Sequence, residues 1–313
     1  MIKKLIGILL FMNIVDASNF HKESKLYNEG NKIKAERLGK SCDGGRSSGC
    51  YLLGIMYANG DGVKQDKRKA LTLYRKACDG GTIGGCFILG RMYDKGDGVK
   101  QDKRKALALY KKSCDGSISI GCYDLGMMYI NGDGVKQDKG KAKKLFRESC
   151  DAGIGSGCCD LGIMYENGEG VRQDKRKALR LYKKACDSNS PKGCLIAGVM
   201  YMKGKGVRQD KRKALMFYKK ACDGNDAVGC SSIGFLYDDG DGVRQDKRKA
   251  LMFYKKACYG GAILNCSLVG LKYANGDGVK QDKRMAKEFF GKACDGGDNN
   301  GCKNYRILNE QGI

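Results

Sequence analysis

Sulfur is the reactive element that this chain carries in excess: 17 Cys in 313 residues, against one His (His21) and no Trp. Cysteines at that density can oxidise into structural bridges, hold zinc, or run thiol–disulfide exchange. Their spacing separates these chemistries. Sixteen fall in pairs eight positions apart: Cys42 and Cys50, Cys78 and Cys86, Cys114 and Cys122, Cys150 and Cys158, Cys186 and Cys194, Cys222 and Cys230, Cys258 and Cys266, Cys294 and Cys302. Each pair follows the previous one by 36 residues. Structural zinc takes four N or S ligands, usually as closely spaced pairs. Seven intervening residues and a single His fit that poorly, so no metal is expected, and no Cys-x-x-Cys redox motif exists. No cofactor is expected either. Disulfide staples are the favoured reading. Cys159 alone stands outside the pattern, with three open fates: an intermolecular bridge, a free packed thiol, or competition with Cys158 for Cys150.

The N-terminus sets the compartment. Lys3 and Lys4 precede an apolar run from Leu5 to Val15, broken only by Gly7 and Asn13, and Val15-Asp16-Ala17 has the small-residue pattern of a cleavage site. A signal peptide over residues 1–17 is expected, cleaved near Ala17, which makes the protein secreted, periplasmic or extracellular. No apolar run approaches the roughly 18 to 20 residues of a membrane span.

The elements that position the cysteines share their period. Gly-Val-Lys/Arg-Gln-Asp-Lys recurs from Gly62, Gly98, Gly134, Gly170, Gly206, Gly242 and Gly278. Such self-similarity means a solenoid whose units bury apolar faces against one another. Residues 50–301 hold seven repeats of 36, between an atypical N-terminal capping unit at 18–49 and an incomplete C-terminal unit at 302–313. Each repeat reads as two helices. Cys50, Leu53, Gly54 and Tyr57 share one face of the first, and Ala70, Leu71, Tyr74, Ala77 and Cys78 form the stripe of the second. Asp66 is placed to cap the second helix. Gly54 recurs at 90, 126, 162, 198, 234 and 270 despite costing a helix about 0.5–1 kcal/mol relative to Ala, which predicts close helix–helix approach.

Leu53-Gly54-x-x-Tyr57-x-x-Gly60-x-Gly62-Val63-x-x-Asp66, followed by Ala70, Tyr74, Lys76 and Ala77, resembles the Sel1-like repeat, a relative of the tetratricopeptide repeat. Cys at both 50 and 78 in every repeat, behind a signal peptide, looks like the Helicobacter cysteine-rich proteins. The resemblance implies an all-α fold: a right-handed alpha-alpha superhelical solenoid of disulfide-bridged repeats. The pairing favoured with it joins the two members of each cysteine pair given above, end of second helix to start of the next first helix. A loop that short gives about 2–3 kcal/mol per bridge in the chain-entropy model.

The same resemblance implies beta-lactamase or penicillin-binding activity, a hydrolase linked to antibiotic resistance. Nothing in composition or periodicity shows it. Ser-x-x-Lys, Ser-Asp-Asn and Lys-Thr-Gly are all absent, and one His cannot support a metallo-enzyme. Tyr57-x-Asn59, Tyr129-x-Asn131, Tyr165-x-Asn167 and Tyr273-x-Asn275 resemble a penicillin-recognition element, but their repeat position explains them as core Tyr and helix-end Asn. No catalytic residue is assigned. The residues themselves favour a non-enzymatic scaffold binding a peptide, a cell-wall fragment or a host protein.

Repeat positions equivalent to 51, 52, 55 and 58 vary while their neighbours do not. They lie on first helices, which line the concave face in tetratricopeptide-like solenoids. A peptide-like or beta-lactam ligand is expected there, around Tyr51, Arg91, Asp124, Asp160 and Glu166. The net charge of +24 also has a location: Lys64, Lys67, Arg68 and Lys69 recur at the loop and the start of second helices, predicting a basic stripe along one edge that faces either solvent or an anionic surface. Nucleic acid is not an expected partner. The expected assembly is a monomer or a Cys159-linked dimer.

Overall fold

The computed structural model describes residues 31–313; the expected signal peptide and His21 lie outside them. The described residues form sixteen helices and no strand. They divide into two compact units, the first ending at Ile154 and the second beginning at Gly155.

Unit 1 carries α1 (Asn31–Asp43), α2 (Ser47–Asn59), α3 (Lys67–Asp79), α4 (Ile83–Lys95), α5 (Lys103–Asp115), α6 (Ser119–Asn131) and α7 (Lys139–Asp151). Unit 2 carries α8 (Gly155–Asn167), α9 (Lys175–Asp187), α10 (Pro191–Lys203), α11 (Lys211–Asp223), α12 (Ala227–Asp239), α13 (Lys247–Tyr259), α14 (Ile263–Asn275), α15 (Lys283–Asp295) and α16 (Asn299–Glu310). The first repeat is α2 with α3 and the seventh is α14 with α15. Within each unit the repeating pairs pack as a solenoid: the two helices of a repeat against each other, and each second helix against the next first helix.

Local chemistry sets the boundaries. Each second helix opens on an Asp whose carboxylate accepts from backbone amides in the first turn, as Asp66 does from Arg68 and Lys69, and Asp246 from Lys249. That satisfies donors the helix itself leaves unpaired. First helices end on a left-handed Gly such as Gly60, φ +81°. Gly98 has two constraints at once: φ is +72°, and a Cβ would lie 2.7 Å from Lys67 Cβ of the preceding repeat. The loops of successive repeats are therefore pressed onto the starts of earlier second helices.

Close approach is what the mid-helix glycines supply. A Cβ on Gly54 would meet the Tyr74 ring at 2.9 Å, and one on Gly234 the Tyr254 ring at 2.5 Å. Tyr74 and Tyr254 are buried, lying flat on bare backbone.

Seven cysteine pairs are bridged as the spacing suggested: 42–50, 78–86, 114–122, 186–194, 222–230, 258–266 and 294–302. Their Cα atoms are 4.4–4.8 Å apart. Cys150 and Cys158 are also disulfide-bonded. Within each unit these bridges join successive helix pairs, so each staple resists their separation.

Candidate functional site

The positions singled out on first helices do not share one environment. Tyr51 is withdrawn from the surface: it is 2% exposed and packs on Tyr74 with ring centroids 5.9 Å apart. Burial pushes its phenol up to about 12. The expectation that Tyr51 offers a ligand contact is therefore corrected. The next two members of its column pack in the same way, Phe87 on Tyr110 and Tyr123 on Phe146. Cys159 occupies that column too, fully buried and unbridged, 3.6 Å from Ser190 Oγ. Burial pushes its thiol up. A bridge through Cys159 to a second copy would require α8 to open, so the structure lends that dimer no support.

Columns 52, 55 and 58 do reach solvent, except at the buried Leu52. In unit 1, Arg91 is exposed on α4, and Asp94 and Asp124 are partly buried on α4 and α6. Asp94 accepts a hydrogen bond from Lys103 Nζ at 2.7 Å and also interacts with the buried Tyr110 hydroxyl. Asp124 forms no hydrogen bond or close ion pair among the described residues. Burial pushes its carboxyl up to about 6, the Arg91 and Lys95 charges pull it down, and Asp94 pushes it further up.

In unit 2, Glu166 on α8 accepts from the Tyr182 hydroxyl at 2.8 Å and lies 3.9 Å from Lys205. Asp160 lies 3.7 Å from Lys192. A further acidic position, Asp238 on α12, accepts from Tyr254 at 3.4 Å and from Lys272 Nζ at 2.7 Å. Lys272 fills a column otherwise held by Met or Leu, and is only 4% exposed. Burial alone would lower its pKa, but hydrogen bonds to Asp238 and Asp277 outweigh it and hold Lys272 above the usual lysine value. Phe235 and Leu271, both in column 55, are exposed at 52% and 42%.

Two of these features had a sequence signal. The acids Asp94, Glu166 and Asp238 fall in alternate repeats, and each accompanies a Tyr on the second helix, whereas Ile130 and Ala274 accompany Phe146 and Phe290. Lys272 breaks an apolar column. Phe235 and Leu271 belong to the variable column 55, but their apolar character alone does not tell an exposed position from core.

About half of the basic stripe is committed to structure. Lys67 bridges Asp97 at 2.6 Å, Lys247 bridges Asp277 at 2.6 Å, and Lys211 bridges Asp241. Lysines equivalent to Lys69 lie over the first-helix tyrosine, as Lys105 over Tyr93 and Lys249 over Tyr237. Cations equivalent to Lys64 and Arg68 are left over.

Chemistry beyond binding finds little here. Among the described residues, Cys114, Cys122 and Glu148 are the one group with metal-ligating atoms within 4.8 Å of one another, and both sulfurs are spent in a disulfide. The Tyr-x-Asn elements have structural work: Asn59 and Asn167 donate to Asp61 and Glu169 in the following turn. A pocket of about 460 Å³ lies between α12 and α13, an open surface hollow lined by Asn225, Met252, Lys255, Lys256 and Tyr259 among others. No described helix is long and apolar enough to cross a membrane.

Comparison with known proteins agrees with the fold. No curated protein matches the chain. A crystal structure of c5321, described as a protective antigen present in uropathogenic Escherichia coli strains and displaying an SLR fold, is similar at 24% identity, covering 95% of this chain and 68% of that one, with a TM-score of 0.70. A Sel1 repeat protein from Oxalobacter formigenes is 29% identical over 78% of this chain and 99% of that one, with a TM-score of 0.69. Helicobacter pylori cysteine rich protein B is 34% identical over 44% of this chain and 98% of its own, with a TM-score of 0.35. The Sel1 repeat family model matches residues 47–82, 84–117, 119–154, 155–190, 191–226, 227–261 and 266–298. With seven matched repeats covering most of its length, the chain belongs to the Sel1 repeat family.

Proposed function

We propose that this protein is a disulfide-stapled scaffold that binds a protein or peptide along its first helices. One observation carries the reading. Columns 52, 55 and 58, Leu52 apart, stay at least partly exposed, and their combination of side chains differs from repeat to repeat on a common helical framework. In unit 1 they present Arg91, Asp94 and Asp124 beside Ile88, Met127 and Ile130. In unit 2 they present Asp160 and Glu166, then Phe235, Asp238 and Leu271. Mixed apolar and charged groups on a rigid backbone suit an extended polypeptide, with apolar anchors for affinity and carboxylates for register. The staples favour an oxidising location outside the cytoplasm. Together with the N-terminal pattern they support export after cleavage near Ala17.

Beta-lactam hydrolysis is not part of this reading. The motifs that would carry it are missing from the sequence, and the tyrosines and asparagines that resemble one are occupied in helix ends.

The test is selection of a random linear peptide library on the oxidised protein. Recovered peptides are then measured against Phe235→Ser/Leu271→Ser and against Arg91→Glu/Asp124→Lys. A loss of tenfold or more on either variant is expected. If every recovered peptide keeps its affinity for both variants, the first-helix face is not the binding surface.

A further inference from the structure

The +24 charge looks like a uniform basic edge in the sequence, but the structure sorts it into two kinds. In each of the first three repeats of unit 2, four cations occupy the loop and the first turn of the second helix. The lysine equivalent to Lys67 reaches the loop acid of the next repeat where one exists, as Lys211 and Lys247 do. The lysine equivalent to Lys69 lies over a tyrosine ring, and Lys213 and Lys249 also bridge the capping Asp. The other two have no such employment. Arg172, Arg176, Arg208, Arg212, Arg244 and Arg248 are all exposed, and their guanidinium groups have no partner among the described residues. Lys175 joins them, because Lys205 stands where the next loop otherwise carries an acid.

These groups are adjacent by construction. A Cβ on Gly206 would lie 2.6 Å from Lys175 Cβ, and one on Gly242 would lie 2.5 Å from Lys211 Cβ. Each loop is thus pressed onto the start of the previous second helix. Arg208 follows Gly206 by two residues, and Arg176 follows Lys175 directly. The free cations therefore succeed one another from repeat to repeat.

Placing cations at the first turn of a helix is unfavourable, since the helix dipole is positive there. The capping Asp174, Asp210 and Asp246 take up the first-turn amides, but no carboxylate reaches the guanidinium groups of Arg176, Arg212 or Arg248. An external anion would. Arginine also matches phosphate and sulfate geometry with two parallel donors, which lysine does not. At column 64, unit 2 has Arg172, Arg208 and Arg244 in its first three repeats where unit 1 has Lys64, Lys100 and Lys136.

We propose that the Arg172–Arg176, Arg208–Arg212 and Arg244–Arg248 edge of unit 2 is a binding site for a linear polyanion, a chain carrying repeated phosphate or sulfate groups. A polymer fits better than a lipid surface. The exposed apolar side chains of unit 2, such as Phe235, Met252 and Leu264, lie outside these loops, so the edge offers nothing to insert into a bilayer. This site is separate from the first-helix face and does not rest on the peptide-binding reading.

The test compares heparin and inorganic polyphosphate as soluble probes, with neutral dextran and phosphatidylglycerol vesicles beside them. Binding to the full oxidised chain is measured across a salt series. Arg172→Ser/Arg208→Ser/Arg244→Ser changes only exposed loop residues. Lys203→Ser/Lys303→Ser/Arg306→Ser removes the same charge elsewhere. Binding to at least one of the two polyanions is expected, weakened tenfold or more by the arginine variant and less than threefold by the control. The slope of log affinity against log salt should fall by about 2, as loss of three contacts to a flexible polyanion implies. A response to heparin alone identifies the source as sulfated, and to polyphosphate alone as phosphorylated; either supports the site. Equal losses in the two variants would overturn it, as would binding to vesicles without binding to either polymer.

Discussion

Asp124 gives the sharpest quantitative test of the structure. It sits partly buried on α6 with no hydrogen bond of its own, and burial raises its pKa to about 6 against the opposing pull of Arg91. In an unfolded chain the same group titrates near 3.9. The folded protein therefore holds this proton more tightly than the unfolded chain does. The resulting stabilisation is complete below about pH 4 and is lost as pH rises through about 6. A difference of about two pH units corresponds to nearly 3 kcal/mol at most, and residual solvent access reduces this to about 1–2 kcal/mol. Asn keeps the shape of a protonated Asp and never ionises. Asp124→Asn should thus stabilise the protein by about 1–2 kcal/mol near pH 7.5 and by nothing measurable near pH 3.5. Guanidinium unfolding with the disulfides intact, repeated across pH, reads this directly. A gain that does not change with pH, or a loss at neutral pH, would refute the assignment of Asp124 as a carboxylate whose ionised form is penalised by burial.

Three further outcomes follow from the packing. Gly234→Ala gains about 0.5–1 kcal/mol in helix propensity, but its methyl would meet the Tyr254 ring at 2.5 Å, so a net loss of about 1–2 kcal/mol is expected in thermal melts; an unchanged or higher Tm would show that the glycine is not there for close approach. Lys272→Met restores the residue type of its column yet strips Asp238 and Asp277 of a buried partner, which should cost about 1–3 kcal/mol at pH 7, measured by the same guanidinium titrations. Cys159 should resist iodoacetamide in the native protein and react fully in denaturant, with only monomer on non-reducing electrophoresis; rapid native labelling would contradict its burial.

The fold was written plainly in the chain because its signals are periodic. Cysteines eight apart, an Asp at the start of each second helix and a Gly opposite each buried ring all repeat on one spacing, and each has a single physical job. The candidate surface was less legible, because variation between repeats has two causes that a sequence does not separate. At column 58 variation accompanies exposure. At column 51 it accompanies compensation: aromatic pairs fill unit 1, while Ser231 and Ser267 in unit 2 exchange ring contact for hydrogen bonds to Asn265 and Asp298. Tyr51 is buried for that reason. In the charge stripe likewise, sequence counts cations but not the acids and rings that occupy some of them.

The departures from strict repetition also answer a problem that repetition creates. Near-identical helix pairs can dock in the wrong order at little cost, because every interface offers the same apolar surface. Unit 2 breaks that degeneracy with charge. Glu166 of the fourth repeat meets Lys205 of the fifth, at a loop position that is acidic in every other repeat. Docked against the sixth repeat instead, Glu166 would face Asp241. Asp238 of the sixth repeat meets Lys272 of the seventh, in a column that is otherwise Met or Leu. Docked elsewhere, Asp238 would lie against an apolar side chain, and Lys272 would be buried without a carboxylate. Leaving a partly buried charge unpaired costs more than pairing it gains. These two ion pairs therefore contribute little to the depth of the native state and much to its distance from the misordered alternatives.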